Sequence, residues 1–132
     1  MPAISVFSDV AINDSDKTIT YIANTWAKLR SLRVEFTATA TAGSRLLEVR
    51  FLDKSGDVVY ALDHATPFIA SDVMIVNFSP GATTVAPVDN TSEGSQHIAS
   101  GLPTSGSIRV IDTAAIAAAA DDMIVHAVVE HG

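Results

Sequence analysis

Leu32, Val34, Phe36, Ala38 and Ala40 take every second position of one stretch, and Arg33, Glu35, Thr37, Thr39 and Thr41 fill the places between them. An extended strand points successive side chains to opposite faces, so this run has one apolar and one polar face only as a strand. A helix would scatter the same residues around its circumference, and its Val and Thr would lose χ1 freedom. The stretch commits the chain to a half-buried sheet.

The pattern continues from there to residue 62. Gly43 interrupts it inside Ala42-Gly43-Ser44, where a residue tolerant of positive φ lets the chain reverse. Leu47, Val49 and Phe51 then form the inner face of a second strand, with Glu48 and Arg50 outside. Asp53-Lys54-Ser55-Gly56 follows and puts Gly where a type I turn with a bulge needs a left-handed residue. Val58 to Ala61 restart a strand. Residues 29–62 thus read as a meander of three consecutive antiparallel strands, with positive φ expected at Gly56.

Around this stretch the chain offers further short strands. Ile4, Val6 and Phe7 form an apolar group that reads either as an edge strand or as an arm docking on a partner. Asn13-Asp14-Ser15-Asp16 is turn chemistry, and residues 17–23 alternate again. Pro67 argues against a central strand in residues 63–71. Residues 72–79 form a strand whose first residues are apolar on both faces, which fits a central or covered position. From residue 81 to 107 the composition turns to Gly, Pro, Ser, Thr and Asn, with apolar islands at 85–88 and 97–99. This segment reads either as a long loop carrying two short strands or as a mobile functional surface, since loops of this length in compact domains are often functional. Residues 107–112, SIRVID, and 123–130 are the last strands. Between them, residues 113–120 are Ala-rich, follow Asp112 as a fair N-cap, and are read as one or two turns of helix.

The fold expected is therefore all-β: a single β-sandwich over residues 1–132, jelly-roll-like, with one short Ala-rich helix near the C-terminus and residues 1–16 as a candidate N-terminal arm. Many short strands with turn signals between them favour a sandwich or barrel. A chain of 132 residues buries roughly two-thirds of its unfolded surface, enough for one core. Aromatics are only 6%, so Val, Ile, Leu and Ala must build that core.

Composition removes several functions. No cysteine is present, which excludes disulfides, a thiol nucleophile and a thiolate zinc site. The net charge is −7, and no basic stripe is visible, so nucleic acid is not an expected partner. No apolar run approaches the roughly 18–20 residues that span a bilayer. Residues 1–10 lack the basic region and long apolar core of a secretory signal.

Catalytic and metal constellations are likewise not expected, nor is a cofactor. Of the four histidines only His126 and His131 are close in sequence, and their spacing puts them on opposite strand faces. Asp112, Asp121 and Asp122 do not match a calcium loop and read as capping and turn residues. The serines lack a nucleophile elbow, and no glycine-rich phosphate loop precedes a helix. Arg45 is either a buried ion-pair partner or an interface residue. Trp26, the single tryptophan, is a core or rim anchor near the sheet end in the plainer reading and a sugar-stacking platform in the sharper one.

Two pieces of the chain carry a resemblance. WAKLRSLRVEFTATATAGSRLLEVRFLDKSGDVVY and SIRVIDTAAIAAAADDMIVHAVVE are similar to small structural proteins of tailed bacteriophages, some of which resemble capsid cement or decoration proteins. The matched positions are Trp26, Leu29, Gly43, Arg45, Asp53, Gly56, Val58, Arg109, Asp112, Ala114, Ala115, Ile116, Ala119, Asp121 and Asp122. The resemblance implies a non-enzymatic virion protein, made in the host cytoplasm, that binds the outer face of the major capsid protein shell. It is compatible with a homo-oligomer such as a trimer. The partner contacts expected are Ile4, Val6, Phe7 and Trp26. The alternative is a carbohydrate- or receptor-binding β-module of a phage tail or fibre.

Overall fold

The computed structural model describes every residue except 1, 11–15, 24, 65–66, 86–92 and 114–120. Ten strands occur among the described residues: β1 (Ala3–Asp9), β2 (Lys17–Tyr21), β3 (Ala27–Thr37), β4 (Leu47–Asp53), β5 (Val58–Asp63), β6 (Val73–Ser79), β7 (Glu93–His97), β8 (Gly101–Leu102), β9 (Gly106–Asp112) and β10 (Asp122–His131). They form two sheets. The larger runs β1-β10-β3-β6-β7, with β8 paired to one end of β3; the smaller runs β2-β9-β4-β5.

Eight of these strands nest as one folded ribbon. β1 pairs with β10, β2 with β9, β3 with β6 and β4 with β5, all antiparallel. The innermost hairpin is β4–β5, and each earlier strand meets a correspondingly later one. Wound on itself, the ribbon gives the sheets 1-10-3-6 and 2-9-4-5. That connectivity is a jelly roll. β7 is an addition, lying parallel to β6 on the sheet edge.

The core lies between the sheets. Val34, Phe36, Val76, Phe78, Val125 and Ala127 from the larger sheet meet Ile19, Val49, Phe51, Ile108 and Val110 from the smaller one, all buried. β10 shows why the sequence permits this: Met123, Val125, Ala127 and Val129 are wholly buried, while Ile124, His126, Val128 and Glu130 face outward half-exposed.

Two expectations need correction. The first is the meander. β3 and β4 do not pair; they lie in different sheets, and residues 38–46 cross from one to the other. Gly43 has φ 134°, but the turn it serves is a crossover and not a hairpin. Only the β4–β5 hairpin is local, and there Gly56 has φ 87° as expected. Asp53 organises that turn: its Oδ1 accepts from the Ser55 and Asp57 amides at 2.9 and 3.0 Å.

The second is the Ala-rich helix. No helix occurs among the described residues, and residues 114–120 lie outside them. The flanks are committed elsewhere. Asp112, the expected N-cap, is the last residue of β9, and its Oδ1 accepts from the Leu46 amide at 3.1 Å. The Thr113 amide donates to the Leu46 carbonyl at 2.9 Å. Asp121 is buried in an ion pair and β10 starts at the next residue. Helix propensity is a weak prior, and the described residues on both flanks are held by strand and ion-pair contacts.

Candidate functional site

Of the residues singled out for partner contact, Ile4, Val6 and Phe7 lie on β1 and Trp26 lies just before β3, both strands of the larger sheet. β1 is the edge strand, and its register places Ile4, Val6 and Ser8 opposite Glu130, Val128 and His126 of β10. These six form an outward face. Ile4 and Val6 are 65% and 67% exposed, so two β-branched apolar side chains stand in solvent beside half-buried Val128. Val10, just past the strand, is exposed as well. Phe7 points the other way, toward Ala127, and packs partly buried against the core. It anchors β1 and does not belong to the exposed face.

Two serine–histidine bonds tie β1 to β10. Ser8 Oγ lies 2.7 Å from His126 Nδ1 and Ser5 Oγ 2.9 Å from His131 Nε2. Asp9 closes the far end by accepting from Lys17 Nζ at 3.4 Å, across to β2. The histidines thus serve the seam between two strands. Among the described residues no group of three or more His, Asp or Glu is placed to hold a metal.

Trp26 lies one step before β3, next to the same row: Ala27 pairs with His131, which pairs with Ala3. Its ring is only partly open. The Lys28 ammonium sits over it at 5.6 Å from the centroid. Its pyrrole edge abuts Gly132, where any added Cβ would collide with the indole. The Gly132 amide also donates to the Trp26 carbonyl at 3.1 Å. Trp26 therefore secures the end of β10, and a cation occupies one ring face where a sugar would stack. Beside it a shallow cleft of ≈ 290 Å³ is lined by Lys28, Leu29, Arg30, Pro80 and Ser100. Arg30 there is bonded to Glu130 at 2.7 Å.

A carboxyl pair that the sequence reading passed over stands on the smaller sheet. Glu48 and Asp63 face each other across β4 and β5. A hydrogen bond from Arg50 holds Glu48 below the usual carboxylate range, and the Glu48 bond pushes Asp63 above it. Such a split can mark an acid and a base, but these carboxyls stand on an open sheet face. The signal available in the sequence was their cross-strand register alone. Tyr21 lines a second cleft, of ≈ 340 Å³, together with Lys54, Gly56 and Ser105. Burial pushes its phenol up to about 12, and its hydroxyl donates to the Pro103 carbonyl at 2.7 Å, so it is a fixed donor in the wall and not a base.

No family model matches the chain, and no curated protein matches it by sequence. Among solved structures it is similar to the VP2 subviral particle of infectious bursal disease virus, at 14% identity over 98% of this chain and 32% of that one, with a TM-score of 0.41. It is also similar to the structure of tomato aspermy virus, at 15% identity over 98% and 76% of the two chains, with a TM-score of 0.35. A third likeness is to the disulfide-linked pili of Bacillus endospore appendages, at 8% identity over 99% and 89%, with a TM-score of 0.33. The chain spans about a third of the length of VP2. Two of these three structures are of virus particles. At such TM-scores the jelly-roll assignment stands on the strand pairing alone.

Proposed function

We propose that this chain is a non-enzymatic structural protein of a virion: a bacteriophage capsid cement or decoration protein that lies on the outer surface of the major capsid protein shell. The observation that supports it is the β1 edge. A strand of seven residues ends the larger sheet with Ile4 and Val6 more than half exposed, on a chain of net charge −7. Apolar side chains on an edge strand are usually shielded, because they invite another chain. Jelly rolls are a recurrent architecture of capsid and lectin domains, which agrees with the reading without choosing between them. The bacteriophage resemblance of residues 26–60 and 107–130 favours the capsid.

The mechanism is linkage. Contacts that bridge neighbouring shell subunits bind the assembled shell better than free subunits, so they shift the equilibrium toward assembly. No bond is made or broken. The test adds purified chain to shells that lack it and follows uptake and the shell's thermal transition. Uptake with a raised transition supports cementing. Uptake lost in Ile4→Glu/Val6→Glu places the contact at β1. No uptake by intact shells overturns the reading.

A further inference from the structure

The four sheet edges are not equally protected. On β7 the free edge is covered, since Val85 and Ser95 exchange backbone bonds of 2.8 Å in both directions and Ser95 Oγ donates to the Thr83 carbonyl at 2.7 Å. β2 is only five residues long and starts at Lys17. β5 lies opposite an irregularity at Phe51/Leu52 and ends in Asp63. β1 also ends in an aspartate, Asp9, but Lys17 holds it, and β1 is the longest of the four edge strands. It pairs with β10 over seven residues without a register shift, contains no Lys, Arg or Pro, and among the described residues no strand takes its outer edge. Short strands, edge charges and bulges are what normally stop edge-to-edge pairing.

We infer that the outer edge of β1 receives β1 of a second copy, antiparallel about a two-fold axis at Val6, joining the two larger sheets into one. The register follows from the strand. Only pairing centred on Val6 overlaps all of residues 3–9, and it sets Val6 against Val6, Ile4 against Ser8, Phe7 against Ser5 and Ala3 against Asp9. Partners then share a face, as antiparallel strands require. Charge favours this strip. Asp9 is the single ionisable side chain in β1, it is held by Lys17, and the two-fold sets it against Ala3 and away from its symmetry mate. Elsewhere a chain of charge −7 repels its copy. A two-fold contact is self-complementary by construction. It would also bring the Ile4 and Val6 pairs of both copies into one doubled apolar patch, leaving the outward face free for a shell. The pairing stands whether or not that shell is a capsid.

The test needs no capsids. Sedimentation follows the chain to ~1 mM, because an interface below ~1,200 Å² binds weakly. The wild-type chain is expected to dimerise with concentration. Val6→Lys and Val6→Glu, at a site already in solvent, should each stay monomeric, because like charges meet at the axis. An equimolar mixture of the two should recover a mixed dimer. In this cysteine-free chain Val6→Cys should cross-link under mild oxidation faster than Ile22→Cys, whose side chain is 78% exposed elsewhere. A wild-type monomer throughout, a mixture no different from its components, or equal cross-linking rates would each overturn the pairing. A monomer whose Val6→Lys variant no longer binds shells would give the edge to a strand of the shell protein instead.

Discussion

Arg45 and Asp121, 76 residues apart in sequence, meet as a two-pronged ion pair with both side chains wholly buried. Arg45 Nε donates to Oδ2 at 3.0 Å and Nη2 to Oδ1 at 3.3 Å. The remaining donors reach the Gly43 carbonyl and Thr39 Oγ1, and the Thr39 amide donates to Asp121 Oδ1 at 2.7 Å. The pair pins the crossover between the two sheets to the residue that precedes β10.

Removing one partner leaves a buried charge unpaired. Asp121→Ala is expected to cost about 3–5 kcal/mol in urea unfolding. Replacing both, as Arg45→Met/Asp121→Leu, should recover most of that, short of the ~1–3 kcal/mol for the orphaned Thr39 amide. A double variant as unstable as the single would mean that the charges hold the crossover in a way packing cannot replace.

Acid should release the same pair. Burial alone would raise the Asp121 carboxyl, but hydrogen bonds from Arg45 and Thr39 and the Arg45 charge overcome it and hold it below its ordinary value. A carboxyl depressed by folding contributes stability above its unfolded pKa of about 3.9 and loses it as pH falls through the folded value. Unfolding free energy should therefore drop below about pH 4 more steeply in the wild type than in Arg45→Met/Asp121→Leu.

His64 sets a second, milder pH window. It is buried beside Phe68 and Phe78; its Nδ1 donates to Gln96 Oε1 at 2.8 Å, and Nε2 has no partner. Burial lowers its pKa, and the Gln96 bond offsets this only in part. Below about pH 6.5 the unfolded chain takes up a proton that the folded chain refuses, so stability falls with a slope of up to ~1.4 kcal/mol per pH unit. His64→Phe should flatten the urea midpoint between pH 5 and 7.5. An unchanged slope would assign it to other groups.

Glycine substitutions should separate strain from collision. At Gly56 nothing blocks a Cβ, but φ is +87°, so Gly56→Val should cost on the order of 1 kcal/mol or more through the backbone alone. Gly106 fails for the other reason: its Cβ would strike the Leu52 carbonyl across the β4–β9 pair, which must part to admit Ala. Gly101→Ala meets nothing and should be neutral. Thermal melts of the three variants give the ranking directly.

The local half of this fold is legible in the sequence and the long-range half is not. Period-two alternation located the faces of β3, β4, β6 and β10, because burial acts on each strand separately. It could not say that β3 pairs with β10 and β6 instead of β4, since an alternating strand fits any apolar partner. Two short strands are one reading of residues 81–107, but β7 cannot be placed within them because EGSQH has almost no β-forming side chains; its Gly94 and Gln96 are buried by position. The alternatives left open for Arg45 close only when residue 121 is brought beside it. Ile4 and Val6 were found by their apolarity, yet Phe7, of the same character, proved to face inward.

That division alters what a truncation can show. Were residues 1–9 a loose arm, deleting them would leave the domain intact. β1 instead pairs with β10 along its full length, and Phe7 packs on the core. Deletion would strip the seven-residue pairing, expose the edge of β10 and leave His126 and His131 without Ser8 and Ser5. Burying Phe7 even in part is worth about 1–3 kcal/mol. The deletion should therefore lower the melting temperature by several degrees or more. Ile4→Ser/Val6→Ser keeps the strand and changes only exposed side chains, so its melting temperature should stay within a few degrees of wild type. Loss of shell uptake in that double variant, with its melt unchanged, would isolate the docking face from the fold. If the deleted chain melted like the wild type, β1 would be dispensable to the sandwich and the arm reading would return.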